Sequence, residues 1–252
     1  MTPYYQDDLI TLYNGRCEDI LPEIMPSIAF PAIITDPPYG IGAAKLWSGG
    51  GREKKGSEDR APRYSTTMEG NNEDYDPRWL LSYGCPTLLF GANHFSELLP
   101  AMSSWVVWDK RGSNHPGIQG LPSVDQSDCE LAWTNFGGPA RMITHQWMGI
   151  VRASERAEPR IHVTQKPVAL MRWILSKFNT EKQTIIDPYA GSCSTLRAAK
   201  DLGWKSIGIE FEESMCEKVI NTGRLEQETL PIELPKQREK YEPVSMLDGL
   251  MS

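Results

Sequence analysis

Short runs of β-branched and aliphatic residues recur along the chain, each closed by a polar or Gly/Pro turn, and several alternate with stretches of helical period. Asp8 to Tyr13 reads as a strand entering the turn Asn14-Gly15, and Glu18 to Met25 as helix. Ile28 to Ile34 is an apolar run that stops at Thr35-Asp36-Pro37-Pro38-Tyr39-Gly40. Proline supplies no ladder donor and pushes the residue before it away from helix, so the run is a buried strand with Asp36 at its carboxyl end. Pro77 to Tyr83 has helical character. Thr87 to Phe90, Ser103 to Trp108 and Cys129 to Trp133 read as further strands, and Val168 to Phe178 as a helix with Thr164 as its N-cap and Pro167 in its first turn. Gln183 to Ile186, Leu196 to Leu202 and Lys205 to Ile209 then give strand, helix and strand. Alternation of this kind predicts an α/β fold, a doubly wound and mostly parallel sheet with its ligand crevice at the carboxyl ends of the strands.

The chain has 252 residues with 40% apolar content, which suits one α/β domain over 1–225. Residues 43–76 turn to Gly, Ser and charge, and are expected to form a flexible inserted loop, either a lid that closes on a ligand or a solvated insert. Residues 226–252 are polar, with prolines, and are expected to be a loosely attached tail. No apolar run reaches the length of a membrane span and the start lacks a signal-peptide pattern, so a cytoplasmic setting is expected. Five scattered cysteines without a C-x-x-C pair, and four histidines without ligand spacing, predict neither a disulfide framework nor a metal site. A net charge of −7 argues against indiscriminate adhesion to nucleic acid while leaving room for a local basic face.

Two stretches carry chemistry. At Asp36-Pro37-Pro38-Tyr39, an ionised carboxylate and carbonyls without N–H neighbours offer only hydrogen-bond acceptors, and Tyr39 offers an aromatic face. Such a turn suits an amino group on a planar base, although a Pro-rich surface turn is the bland alternative. At Asp187-Pro188-Tyr189-Ala190-Gly191-Ser192-Cys193-Ser194-Thr195, a Gly-containing turn joins a strand to a helix, and the next strand ends at Glu210. An acid at that place can accept both hydroxyls of a ribose, and Asp187 can accept from an ammonium group. The spacing is not the G-x-G-x-x-G of dinucleotide enzymes.

Asp36-Pro37-Pro38-Tyr39 resembles the catalytic tetrapeptide of the S-adenosylmethionine-dependent methyltransferases that modify exocyclic amines of DNA bases. The segment from Asp187 resembles the same family's Asp-Pro-Phe-x-Gly-Ser-Gly-Thr motif, with Tyr189 for Phe and Cys193 for the second Gly. Catalytic strand first and cofactor unit second is the order of the circularly permuted β group, of phage or restriction-modification type. The resemblance implies a Rossmann-like methyltransferase fold, S-adenosylmethionine as cofactor and DNA as substrate, and a homodimer as one assembly of such enzymes. It implies catalytic roles for Asp36, Pro37, Pro38 and Tyr39, and cofactor contacts from Asp187, Tyr189, Gly191, Ser192, Thr195 and Glu210. In Thr164-Gln165-Lys166-Pro167 it implies that Thr164 and Lys166 meet the methionine end of the cofactor. Arg16 stands where the family usually has an acid after Asn14-Gly15, and a Cβ at Cys193 is expected to narrow the cofactor's approach.

Lys110 and Arg111 follow a strand as the family's segment near the target base does, and Phe136 lies on a turn suited to packing near that base. Residues 137–162 hold Arg141, Arg152, Arg156 and Arg160, and form a candidate target-recognition segment contacting phosphates. Interspersed arginines on a solvated face are the alternative. Because Asp rather than Ser opens the tetrapeptide, the resemblance implies adenine N6 as acceptor. Cytosine N4, or a non-catalytic scaffold that binds cofactor or nucleic acid, are the competing readings.

Overall fold

The computed structural model describes residues 1–38, 75–111, 127–148, 151–162, 164–178 and 183–226. Tyr39, most of the expected loop and residues 227–252 of the expected tail lie outside them. Along the chain run β1 (Tyr5–Gln6), β2 (Ile10–Asn14), α1 (Cys17–Ile24), β3 (Pro31–Thr35), α2 (Arg78–Leu81), β4 (Thr87–Phe90), β5 (Trp105–Asp109), β6 (Cys129–Thr134) and β7 (Arg141–Thr144). They are followed by β8 (Trp147–Met148), β9 (Val151–Arg152), α3 (Val168–Phe178), β10 (Thr184–Asp187), α4 (Ser194–Asp201), β11 (Ser206–Glu210) and α5 (Glu213–Asn221).

One sheet has the order β1-β2-β11-β10-β3-β4-β6-β5-β7, while β8 and β9 form a separate hairpin. The block from β2 through β11, β10 and β3 to β4 is parallel throughout. β6 runs against both β4 and β5, and β7 runs with β5. The sheet is therefore mixed and mostly parallel, as expected. From β3 the chain steps outward to β4, and from β10 it steps the other way to β11. β3 and β10 are hydrogen-bonded neighbours, with Ile186 opposite Ile33, so the switch point falls between the two motif-bearing strands.

Alternation along these strands fills both faces. Ala32, Ile34, Ile185, Leu88 and Phe90 pack with Leu170, Met171 and Ile174 of α3 and with Ala198 of α4. Ile33, Ile186, Ile209 and Leu89 pack on the other face with Ile20 and Leu21 of α1 and Leu80 of α2. α4 can lie close to β11 because Gly208 has no side chain: a Cβ there would meet Leu196 Cδ2 at 2.7 Å and Ala190 Cβ at 3.0 Å.

α3 has the expected bounds, but its cap is different. The Val168 N–H donates to Glu155 Oε2 at 2.9 Å, while the Thr164 hydroxyl lies 3.1 Å from His162 Nδ1. A carboxylate brought from another segment does the work expected of the local threonine. β7 to β9 and α5 had no counterpart in the sequence reading. Among the described residues no helix is long and apolar enough to cross a membrane.

Candidate active site at the switch point

Asp36 leaves the end of β3 beside the end of β10, where Asp187 closes the strand. The Thr35 hydroxyl donates to Asp187 Oδ1 at 2.6 Å, so the residue before the candidate catalytic turn is tied directly to the candidate cofactor motif. Asp36 and Asp187 line one cavity of about 430 Å³, part of it open to solvent, with Tyr189, Gly191, Ser192, Thr195, Thr164, Gln165, Lys166, His162 and Phe90 around them.

On the cofactor side every acid is held by short-range donors. Burial pushes the Asp187 carboxyl up to about 6, against the pull of the Thr195 and Thr35 hydroxyls and the Tyr189 N–H. Glu210, at the end of β11, accepts the Gly191 N–H at 2.7 Å and the Glu212 N–H at 2.8 Å, and burial pushes it up to about 7. Gly191 is left-handed at φ 49°, and a Cβ there would come no nearer than 4.0 Å to the Tyr189 carbonyl. Tyr189 lines the cavity and packs edge-on against Tyr75, with centroids 6.0 Å apart.

Cys193 does not crowd this cavity. Its backbone is left-handed at φ 56°, a conformation that glycine adopts without cost, and its side chain is fully buried with Ile10, Leu12, Leu196, Cys216 and Val219. The expected narrowing is corrected by this orientation. Arg16 immediately precedes α1 and pairs only loosely with Glu18 at 3.7 Å, while Gly15 N–H donates to the Glu210 carbonyl at 3.0 Å.

Lys166, which lines this cavity, also faces Asp36. Its ammonium ion-pairs with Asp36 Oδ2, lies 3.0 Å from Glu130 Oε2 and sits 5.0 Å from the centre of the Phe90 ring. Lys110 reaches the other oxygen of Glu130 at 3.1 Å. The buried Oδ1 of Asp36 has no hydrogen-bond partner among the described residues. The cation expected to meet the cofactor thus also stands against Asp36, and Glu130, from β6, joins this cluster although sequence reasoning missed it.

The candidate nucleic-acid residues divide between the two ends of the sheet. Lys110 and Arg111 follow β5 at the crevice end, Arg111 pairing with Asp109 at 3.3 Å and Asp128 at 3.2 Å. Arg152 stacks over Trp147 at 5.4 Å and donates to the Glu158 carbonyl at 3.2 Å, Arg156 donates to the Arg152 carbonyl at 2.7 Å, and Arg160 donates to the His162 carbonyl at 3.2 Å. Phe136 and Arg141 lie at the far end. β6 runs antiparallel, so Phe136 leaves it away from the crevice and packs on Phe178 with centroids 5.5 Å apart. Arg141 opens β7 opposite Val106, near the start of β5. Neither joins Asp36.

Arg224 also escaped the sequence reading. It is 4% exposed and donates to the Ser192 carbonyl at 2.7 Å, Ser194 Oγ at 3.0 Å, Glu155 at 3.0 Å and Glu158 at 3.1 Å. Glu158 also takes a two-pronged contact from Arg197 at 2.5 and 3.0 Å. The basic segment is thereby fastened to the cofactor turn.

The N6_N4_Mtase family model, described as DNA methylase, matches residues 93–221, just over half of the chain. The chain belongs to this family of N6/N4 DNA methylases. Among curated relatives, the Type II methyltransferase M.HindIII of Haemophilus influenzae is 40% identical over 60 residues, covering 24% of this chain and 19% of the relative. M.BamHI of Bacillus amyloliquefaciens is 22% identical, covering 85% of this chain and 57% of the relative, so the chain spans less than two thirds of the length of either. M2.LlaDCHI of Lactococcus lactis subsp. cremoris is 22% identical, covering 88% and 93%. The crystal structure of M1.HpyAVI aligns with a TM-score of 0.50 and 19% identity, over 85% of this chain and 98% of that one, which shows a shared fold.

Proposed function

We propose that the chain transfers a methyl group from S-adenosylmethionine to the exocyclic N6 amine of adenine in DNA. The observation that carries this reading is the Thr35–Asp187 hydrogen bond, which seats the amine-accepting turn and the nucleoside-binding turn on one cavity. The residues fit the cofactor. Glu210 offers acceptors for ribose hydroxyls, Asp187 is an acceptor for an ammonium group, and the turn of Gly191, Ser192 and Thr195 lines the space between strand end and helix. When bound, S-adenosylmethionine supplies an electrophilic methyl on a sulfonium. The protein's part is to position and to accept: Asp36 Oδ1 and the Pro37 carbonyl draw on the amine hydrogens, which favours a lone pair localised on nitrogen rather than spread into the ring. Tyr39 would receive the base once it leaves the stack. Lys110, Arg111, Arg152, Arg156 and Arg160 would contact phosphates. Adenine is preferred to cytosine because Asp36 opens the tetrapeptide.

The test is transfer from methyl-labelled cofactor to mixed-sequence DNA, followed by digestion to nucleosides. Label on N6-methyldeoxyadenosine is expected. Label on cytosine would reassign the substrate to cytosine N4, and cofactor binding without label on either base would favour a scaffold. Asp36→Ala should lower transfer by about a hundredfold or more while cofactor affinity, measured by calorimetry, is retained.

A further inference from the structure

We propose that Glu130, which belongs to neither sequence motif, is a positioning residue for the reaction: by sharing Lys166 with Asp36, it keeps that lysine from neutralising Asp36 and leaves Asp36 Oδ1 free to accept from the substrate amine. The proposal rests on the methyl-transfer reading above and adds to it a residue from the antiparallel part of the sheet.

The arrangement is an alternating row. Lys110 lies 3.1 Å from Glu130 Oε1, Glu130 Oε2 lies 3.0 Å from Lys166, and Lys166 contacts Asp36 Oδ2. Two cations and two anions balance, so the row carries no net charge into a largely buried place. Glu130 has two ammonium neighbours and Asp36 has one. Without Glu130, two ammonium groups would face the Asp36 carboxylate alone, and its capacity as an acceptor would fall.

The groups facing Asp36 come from four elements: Lys166 from the segment before α3, Glu130 from β6, Lys110 from the end of β5, and Asp187 from β10. Burial raises the Asp36 carboxyl above the usual carboxylate range, Lys166 opposes this, and the charge of Glu130 reinforces it. Burial acts on Glu130 in the same sense, but Lys166 and Lys110 outweigh it and hold Glu130 below its ordinary value. The two carboxylates are split apart, the more basic one being the one with an unpartnered oxygen. His162, on the other side of Lys166, is driven down to about 4 by burial and by the Lys166 charge, so near neutrality it adds no charge to the row.

The Asp36 carboxyl is to be followed by 13C NMR of carboxyl-labelled protein without DNA, with Asp36→Asn identifying its resonance, alongside steady-state methylation. In Glu130→Gln the Asp36 midpoint should move to lower pH, and in Lys110→Met to higher pH. A residue that served only to hold the fold would not produce opposite displacements. Glu130→Gln should also lower kcat roughly tenfold, the scale on which loss of a partner orienting a reacting group is felt. KM for DNA and calorimetric cofactor affinity should be unchanged, and the acid limb of kcat should move with the NMR midpoint. Midpoints that stay still, or that move together in the two variants, overturn the proposal, as does a loss confined to cofactor affinity. If the wild type labels no base, the transfer reading falls and this proposal with it. If the wild type labels DNA and Glu130→Gln matches it in kcat and midpoint, this proposal falls alone.

Discussion

The β10–α4–β11 unit and the β6–β5–β7 wing meet on the same crevice, yet they are assembled in different ways. In the first, the groups that matter lie within one strand, one turn and the end of the next strand: Asp187, Gly191 and Glu210 come together because a parallel βαβ unit must bring them together. In the second, the groups are recruited across the chain. Glu130 answers Lys166, 36 positions away, and beyond the wing Glu155 and Glu158 answer Arg224, 69 and 66 positions away. The acceptors of the candidate cofactor turn are thus brought together locally, whereas the setting of Asp36 is prepared by tertiary pairing. Each can be disturbed without the other.

The largest effect is expected where the segment carrying Glu155 and Glu158 is fastened to the turn of Ser192 and Ser194. Arg224→Met leaves the buried Glu155 carboxylate without its guanidinium partner and the half-buried Glu158 with Arg197 alone, and should cost about 3–5 kcal/mol in denaturant unfolding. Arg224→Lys should recover only part, because one ammonium cannot span two carboxylates, the Ser192 carbonyl and the Ser194 hydroxyl at once. A loss under about 1 kcal/mol would show that the segment carrying Glu155 and Glu158 is docked by other means.

The cofactor unit has its own signature, in pH. Asp187 and Glu210 carry folded values of about 6 and 7 against ordinary values of 3.8 and 4.5. Without ligand the folded state binds these protons more tightly. Their contribution to stability is therefore fully present below the unfolded values and is lost as pH rises through about 6 and 7. A ligand presenting hydroxyls and an ammonium favours the ionised carboxylates, so cofactor affinity should rise between these limits, by up to roughly tenfold per pH unit for each proton released. Calorimetry in buffers of different ionisation enthalpy measures that release directly. Glu210→Gln should flatten the dependence, whereas variants in the wing should leave it intact.

This division also explains what the sequence made legible. Thr87–Phe90 and Val168–Phe178 were readable because a β-branched or periodic run between breakers fixes an element locally, and the Asp36 and Asp187 turns were readable because their chemistry is contiguous. β7 was not: Arg141–Thr144 is an edge strand, mostly exposed, without the alternation that marks a half-buried one. The pairing of Lys166 with Asp36 and Glu130 was not legible, because nothing in the linear order reveals a carboxylate on another strand. Phe136 was placed near the base because its turn follows a strand, and the direction of that strand is a property of the sheet rather than of the segment. Phe136→Ala should cost about 1–2 kcal/mol through lost packing on Phe178, with transfer per folded molecule unchanged. A slower reaction would return Phe136 to the crevice.

The smallest effect concerns the one position where the candidate cofactor motif departs from a glycine. Cys193 holds a left-handed backbone that costs a residue with a Cβ about 1–2 kcal/mol, and Cys193→Gly removes that cost. The same change empties a fully buried place beside Ile10, Leu196 and Cys216 and adds freedom to the unfolded chain, two losses that together are similar in size to that gain and opposite to it in sign. Stability should therefore change by less than about 1 kcal/mol in either direction. Cofactor affinity should not change at all, since the thiol faces the core between α4 and α5 while the turn's other side faces the cavity. Tighter binding by Cys193→Gly would mean that the Cβ crowds the ligand and that the turn rearranges on binding. Unchanged binding would mean that this chain kept the glycine's conformation while converting its position into core.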